Sequence, residues 1–205
     1  MAKKTNKTLI ILGSIALLAL ILIMWFVGTY NGLVQSRENV NGAWADVETY
    51  YQRRADLVPN LVQTVAGFAQ QERTVFTEVT EARSRVGTVQ LTTEDLEDPA
   101  KVKAYQDAQT QLSGALSRLI AVAENYPQLR SSENFLALQD ELSGTENRIA
   151  TARRDYNAAA RAYNVRVQRI PSNIVASMFD FDQRTYFESD EGTEKSPTVA
   201  KDQFA

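Results

Sequence analysis

The chain contains no cysteine and no histidine among its 205 residues. Without cysteine there can be no disulfide, no thiolate metal site and no lipid-modified cysteine. The absence of histidine removes Ser-His-Asp catalysis, histidine-dependent metal centres and the Glu-x-x-His pairs of di-iron bundles. Glycine and proline are sparse, at nine and five residues, and neither a glycine-rich phosphate loop nor a nucleophile elbow occurs. No stretch alternates apolar and polar residues between turn dipeptides as strands do. A basic face is lacking too: once Lys3, Lys4 and Lys7 are set aside, the rest holds 19 basic against 25 acidic residues. A nucleic-acid partner is therefore not expected, and neither is a metal or another cofactor.

Long apolar and periodic stretches are what the chain does contain. Residues 9–27, from Leu9 to Val27, carry no charge and one hydroxyl, Ser14. At about 1.5 Å per residue they match the roughly 30 Å hydrocarbon core of a bilayer. Trp25, Phe26 and Tyr30 gather at the far end, where aromatic side chains favour the headgroup level. The run is too long for the apolar part of a signal peptide, and no small-x-small site follows it. The sequence thus predicts a lipid-bilayer partner met through one N-terminal helix, with residues 1–8 cytoplasmic, 9–30 the anchor, 31–181 an extracytoplasmic domain and 182–205 an acidic, largely disordered tail, in which Tyr186-Phe187 are either free or pinned to the bundle. The three lysines set that orientation. It places the chain in a bacterial cell (inner) membrane, with the domain periplasmic or extracellular.

From residue 40 to residue 86 apolar residues return at alternating steps of four and three, through Val40, Trp44, Val47, Tyr51, Val58, Leu61, Val65, Phe68, Val75, Val79, Ala82 and Val86. Such a coiled-coil-like seam marks a helix packed along partner helices. It predicts one rod of about 70 Å, kinked at Pro59, where a backbone hydrogen bond is lost; a full hairpin at Pro59, giving four helices of similar length, is the alternative. Gly87 then stops the helix. Residues 88–98 form a loop with one helical turn near 93–96, and Asp98-Pro99 opens a second helix reaching Tyr126. Ser132 caps a third that closes before Ile170-Pro171, and a short helix follows Ser172. The predicted fold is all-α: an N-terminal transmembrane helix followed by an antiparallel bundle of long helices.

Arg54 and Glu72 break the apolar seam, and a buried charge costs several kcal/mol unless paired. On a continuous rod they lie about 27 Å apart, too far to pair with each other. Partners on the third helix are expected, with Glu146, Arg148 and the Arg153-Arg154-Asp155 group in range. Asn157 and Asn164 stand one heptad apart beside Tyr156 and Tyr163, suited to helix–helix hydrogen bonding or to a ligand groove. The remaining carboxylates read as a solvated face.

Several blocks together resemble the bacterial LemA family: Tyr51-Gln-Arg-Arg-Ala-Asp-Leu-Val-Pro-Asn-Leu-Val62 with Glu72, Glu124-Asn-Tyr-Pro-Gln-Leu129, Thr145-Glu-Asn-Arg-Ile149, Arg154-Asp-Tyr-Asn157, Ala162-Tyr-Asn164, Ile170-Pro-Ser-Asn-Ile-Val175 and Tyr186-Phe-Glu188. The resemblance implies an N-terminal transmembrane helix, a soluble antiparallel helical bundle and no established catalytic residues. The expected function is a non-catalytic envelope scaffold or interaction protein. The alternative is a small-ligand receptor or enzyme with a pocket around Arg54, Glu72 and the Tyr-Asn stripe. Helix lengths add one further expectation. A second helix returning only to the level of Pro59 would leave Val40, Trp44, Val47 and Tyr51 bare, a stalk for a homo-oligomer or another membrane protein.

Overall fold

The computed structural model describes residues 2–188, with side chains from residue 9 onward. The side chains of the three N-terminal lysines and residues 189–205 of the expected tail lie outside the described residues. Every regular element among those described is helical: α1 (Ala2–Ala66), α2 (Arg73–Thr88), a 3-10 turn at Asp95–Glu97, α3 (Pro99–Ala123), α4 (Pro127–Arg130), α5 (Glu133–Gln168) and α6 (Ser172–Met178). The all-α class and the long apolar N-terminal helix hold.

α1 runs 65 residues, about 97 Å at helical rise, without a break at Tyr30. Anchor segment and bundle therefore share one helix. Pro59 lies inside it on an exposed position. The proline has no N–H for the carbonyl of Ala55, and Arg83 from α2 supplies the missing donor, its Nε 3.0 Å from that oxygen. The helix passes through its proline with the orphaned acceptor satisfied from outside.

The rod does not continue to residue 86. It ends at Ala66, and residues 67–72 reverse the chain, with Gly67 N–H and Ala69 N–H donating to the carbonyls of Gln63 and Val65. Gly67, a poor helix former, starts the turn. Phe68, counted on the seam, is exposed at its tip, while Val65 and Ala69 fill its inside. The seam runs on through the reversal because α2 buries a stripe in the same core, through Val79 and Ala82. Periodicity reports that a helix faces a core; it says nothing of the helix's direction.

Contacts fix the directions of the other helices. Arg83 of α2 meets Ala55 of α1, so α2 descends. Trp44 and Tyr51 pack on Tyr105, while Arg54 reaches Gln109 and Ser113, so α3 ascends beside α1. α5 descends, with Arg53 of α1 bonded to Glu141, Arg54 to Glu146 and the Gly32 carbonyl to Arg166. The expected caps form: Asp98 accepts from Ala100 and Lys101 N–H, and Ser132 from Phe135 N–H. α3 stops at Ala123, three residues short of expectation.

These directions overturn the bare stalk. Because α2 carries the chain back before α3 begins, Val40, Trp44, Val47 and Tyr51 are all buried within one chain. Their cover is α5, the start of α3 and residues 181–188, so the stripe gives no reason for a second copy. Residues 182–188, expected in the tail with only Tyr186-Phe187 as candidates for pinning, are docked.

Candidate functional site

Among the described residues Arg54 is the most deeply buried polar side chain, 2% exposed. It separates two apolar cores. Toward the anchor lie Tyr51, Tyr105 and Ile149 with the residues around them; away from it lie Leu57, Leu112 and Leu142 with theirs. Its Nη1 donates to Ser113 Oγ at 2.5 Å and to Glu146 Oε1 at 2.9 Å, and its Nη2 to both oxygens of Gln109. The guanidinium also stands 5.0 Å from the Tyr51 ring centre, a cation–π distance. The fork of donors that only arginine offers ties three helices at one level.

Beside this layer opens a pocket of about 490 Å³, whose lining includes Arg54, Gln106, Gln109, Ser113 and Glu146, with Arg153 and Glu188 at its side. Three N–H donors there, Arg54 Nε, Gln106 Nε2 and Gln109 Nε2, are buried without an acceptor. Gln109 accepts from Arg54 through its oxygen, which fixes its amide nitrogen as the free end. Glu72 is absent from this site. It precedes α2 at the reversal, half-buried, and its carbonyl receives Val75 and Phe76 N–H. The pocket expected around Arg54 therefore forms with Glu146 in place of Glu72. The Tyr-Asn stripe is not part of its lining.

That stripe holds the chain's own C-terminal segment. Asn164 donates to the Arg184 carbonyl and accepts from its N–H, both at 2.8 Å. Asn157 does the same for Phe187, at 2.9 and 2.8 Å. Seven helical residues rise about 10.5 Å and three extended residues span about 10 Å, so a heptad of asparagines matches every third residue of an extended strap. Tyr156 Oη adds a bond to the Thr185 carbonyl, and Thr185 N–H donates to Leu96. Burial recurs at Phe181, Arg184 and Phe187, a three-residue repeat.

Each buried strap side chain meets a prepared partner. Phe187 stacks on Trp44 at 5.9 Å and 14° and meets Tyr156 edge-on. Arg184 is buried, bonded to Glu97 at 2.6 Å and to the Thr93 carbonyl at 2.9 Å. Phe181 packs on Tyr30 under Arg37. Burial holds the phenols of Tyr105 and Tyr156 well above their ordinary range. Asp95, bonded to Lys101 and to Thr92, is pulled down to about 2.

Of the expected site residues, Leu9, Trp25 and Val27 are exposed on α1, while Phe26 and Tyr30 are half-buried against Phe179. Gln109 and Arg184 were not anticipated as site residues. The first stands on the seam of α3 as a polar interruption equal to Arg54, a signal open to reading. The second lies in an acidic, turn-rich stretch with no periodicity to mark it.

A model of the LemA family matches residues 43–200. Among known proteins the chain is similar to the magnetosome proteins MamQ 1 and MamQ 2 of Paramagnetospirillum magneticum, 30% identical over 175 residues. That match covers 78% of this chain but 64% of each relative, under two thirds of its length. It is also similar to Protein LemA of Metamycoplasma hominis, 24% identical over 81% of this chain and 72% of the relative.

Proposed function

This chain belongs to the LemA family, and on that footing we propose that it is a membrane-anchored helical scaffold of the bacterial envelope, an interaction protein with no catalysis of its own. The supporting observation is the unbroken α1. One helix of 65 residues is both the apolar run and a central member of the bundle. A bundle built on the membrane-crossing helix itself is held at a fixed distance and tilt, the property a platform needs. Its N-terminus faces the cytoplasm and the bundle the outside, by the lysine argument.

Two experiments test this reading. A protease added to intact cells, or to spheroplasts where an outer membrane exists, should digest the chain beyond Tyr30; digestion in inverted vesicles alone reverses the orientation. Photo-crosslinkers on the exposed bundle surface, at Glu81 and Asp107, should capture envelope or membrane proteins in living cells, and the capture should vanish when the bundle is released from its anchor. Absence of any protein adduct sinks the scaffold.

One observation favours a second reading, a receptor for a small acceptor-rich ligand: the buried donors of Arg54 and Gln109 beside the pocket. A metabolite screen by thermal shift on the full chain, repeated with Arg54→Met, distinguishes the two. A ligand that stabilises the parent and not the variant would favour the receptor.

A further inference from the structure

Beyond residue 27, half of the large apolar side chains left exposed among the described residues fall within ten positions. They are Ile170, Ile174, Met178 and Phe179, exposed by 78, 57, 62 and 44%. Ile174 and Met178 stand one turn apart on α6; Ile170 precedes that helix and Phe179 follows it. Val175 and Ala176, on the inner side, are buried in the anchor-side core with Leu33. α6 contains no charged residue; it buries Val175 and Ala176 toward the bundle and turns Ile174 and Met178 outward beside the small hydroxyl of Ser177. Water is a poor neighbour for the outer face.

What covers that face follows from its place on α1. The Phe179 ring lies 5.9 Å from Phe26 and 4.9 Å from Tyr30. Phe26 is the next-to-last residue of the apolar run, so this contact sits within about 1.5 Å, along the helix, of the end of that run. α6 is thus held where α1 leaves the hydrocarbon. We infer that α6 is an interfacial membrane element, its Ile170, Ile174, Met178 and Phe179 side chains sunk among the headgroups and outer acyl chains of the leaflet that α1 crosses. The bundle then touches the bilayer at two points, and α6 fixes the tilt of α1. This inference rests on the anchor reading of the apolar run.

The cysteine-free chain allows single spin labels in the full protein, reconstituted in vesicles of phosphatidylcholine and phosphatidylglycerol. Labels would be placed at Ile174→Cys and Met178→Cys, with Ile15→Cys in the apolar run and Asp107→Cys on the bundle exterior as references. Collision with oxygen, relative to a water-soluble nickel chelate, reads depth. Positions 174 and 178 should favour oxygen, at a depth between the two references, and should not change as protein is diluted in lipid. If position 174 is as open to nickel as position 107 while position 15 is deep, the α6 inference falls and the anchor stands. Spin–spin broadening at 174 that dilution relieves would mean a second copy covers the face, and also overturns it. Nickel access at position 15 would remove the anchor reading and the inference with it.

Discussion

The two halves of the bundle reach the same end by different means. The half away from the anchor is built from α1, α2, α3 and α5 around an aliphatic core in which Phe135 is, among the described residues, the one fully buried aromatic ring. In the anchor-side half α2 has ended, and the space it would fill is taken by the 3-10 turn and the extended strap. There the core is aromatic, with Trp44, Tyr51, Tyr105, Tyr156, Tyr163, Phe181 and Phe187. A helix brings its own backbone hydrogen bonds and can be covered by aliphatic side chains. An extended strap brings none, so the neighbouring helix must supply them, which is the work of Asn157, Asn164 and Tyr156. The Arg54 layer joins the two halves.

The largest expected effect breaks that joint. Glu146→Ala strands a buried guanidinium and should cost about 3 kcal/mol, whereas Arg54→Met lets the two cores fuse and should cost about 1 kcal/mol or less. Urea unfolding of the full chain in detergent measures both. Equal losses would mean that the layer acts through its hydrogen bonds and not through its charge. The strap comes next. Asn164→Asp replaces a donor by an acceptor against the Arg184 carbonyl and should cost about 2 kcal/mol. The damage should be confined to the anchor-side half, read as protease cleavage within residues 182–188 and faster amide exchange near Trp44, with exchange near Leu112 unchanged.

A smaller effect lies at the proline. Arg83→Met leaves the Ala55 carbonyl without a donor and should cost about 1 kcal/mol. In a Pro59→Ala background the helix supplies its own N–H, so the same change should cost less. Additive losses in that double-mutant cycle would show that Arg83 acts elsewhere. The smallest effect is alkaline. Burial raises the phenol pKa values of Tyr105 and Tyr156, so the folded state keeps protons that the unfolded chain releases near pH 10. Their contribution is complete below about pH 10 and is lost as pH climbs toward the folded values. Phenolate absorbance should rise together with loss of near-UV circular dichroism. A phenolate signal from both tyrosines in the intact fold would contradict their burial.

Periodicity and punctuation were legible in the sequence because they are local. The apolar run, the stops and caps at Asp98-Pro99, Ser132 and Pro171, and the family blocks from Tyr51 to Tyr186 all follow from neighbours a few residues apart, whereas α2 runs through Gly87 and ends at Thr88. Arg54 was legible as a conflict between charge and seam, and Glu146 was among the partners in range. The reversal at residues 67–72 was not, because two antiparallel helices on one core show the same stripe as one long helix. Only the structure decides between them, through distant contacts such as Arg83 with the Ala55 carbonyl. The docking of residues 182–188 was legible only at Tyr186-Phe187, whose rings made pinning to the bundle an open alternative to a free tail. An extended segment has no internal hydrogen bonds and no period that sequence alone can read against disorder; its order comes from Asn157, Asn164, Tyr156, Glu97 and a set of rings placed by elements far away in the chain.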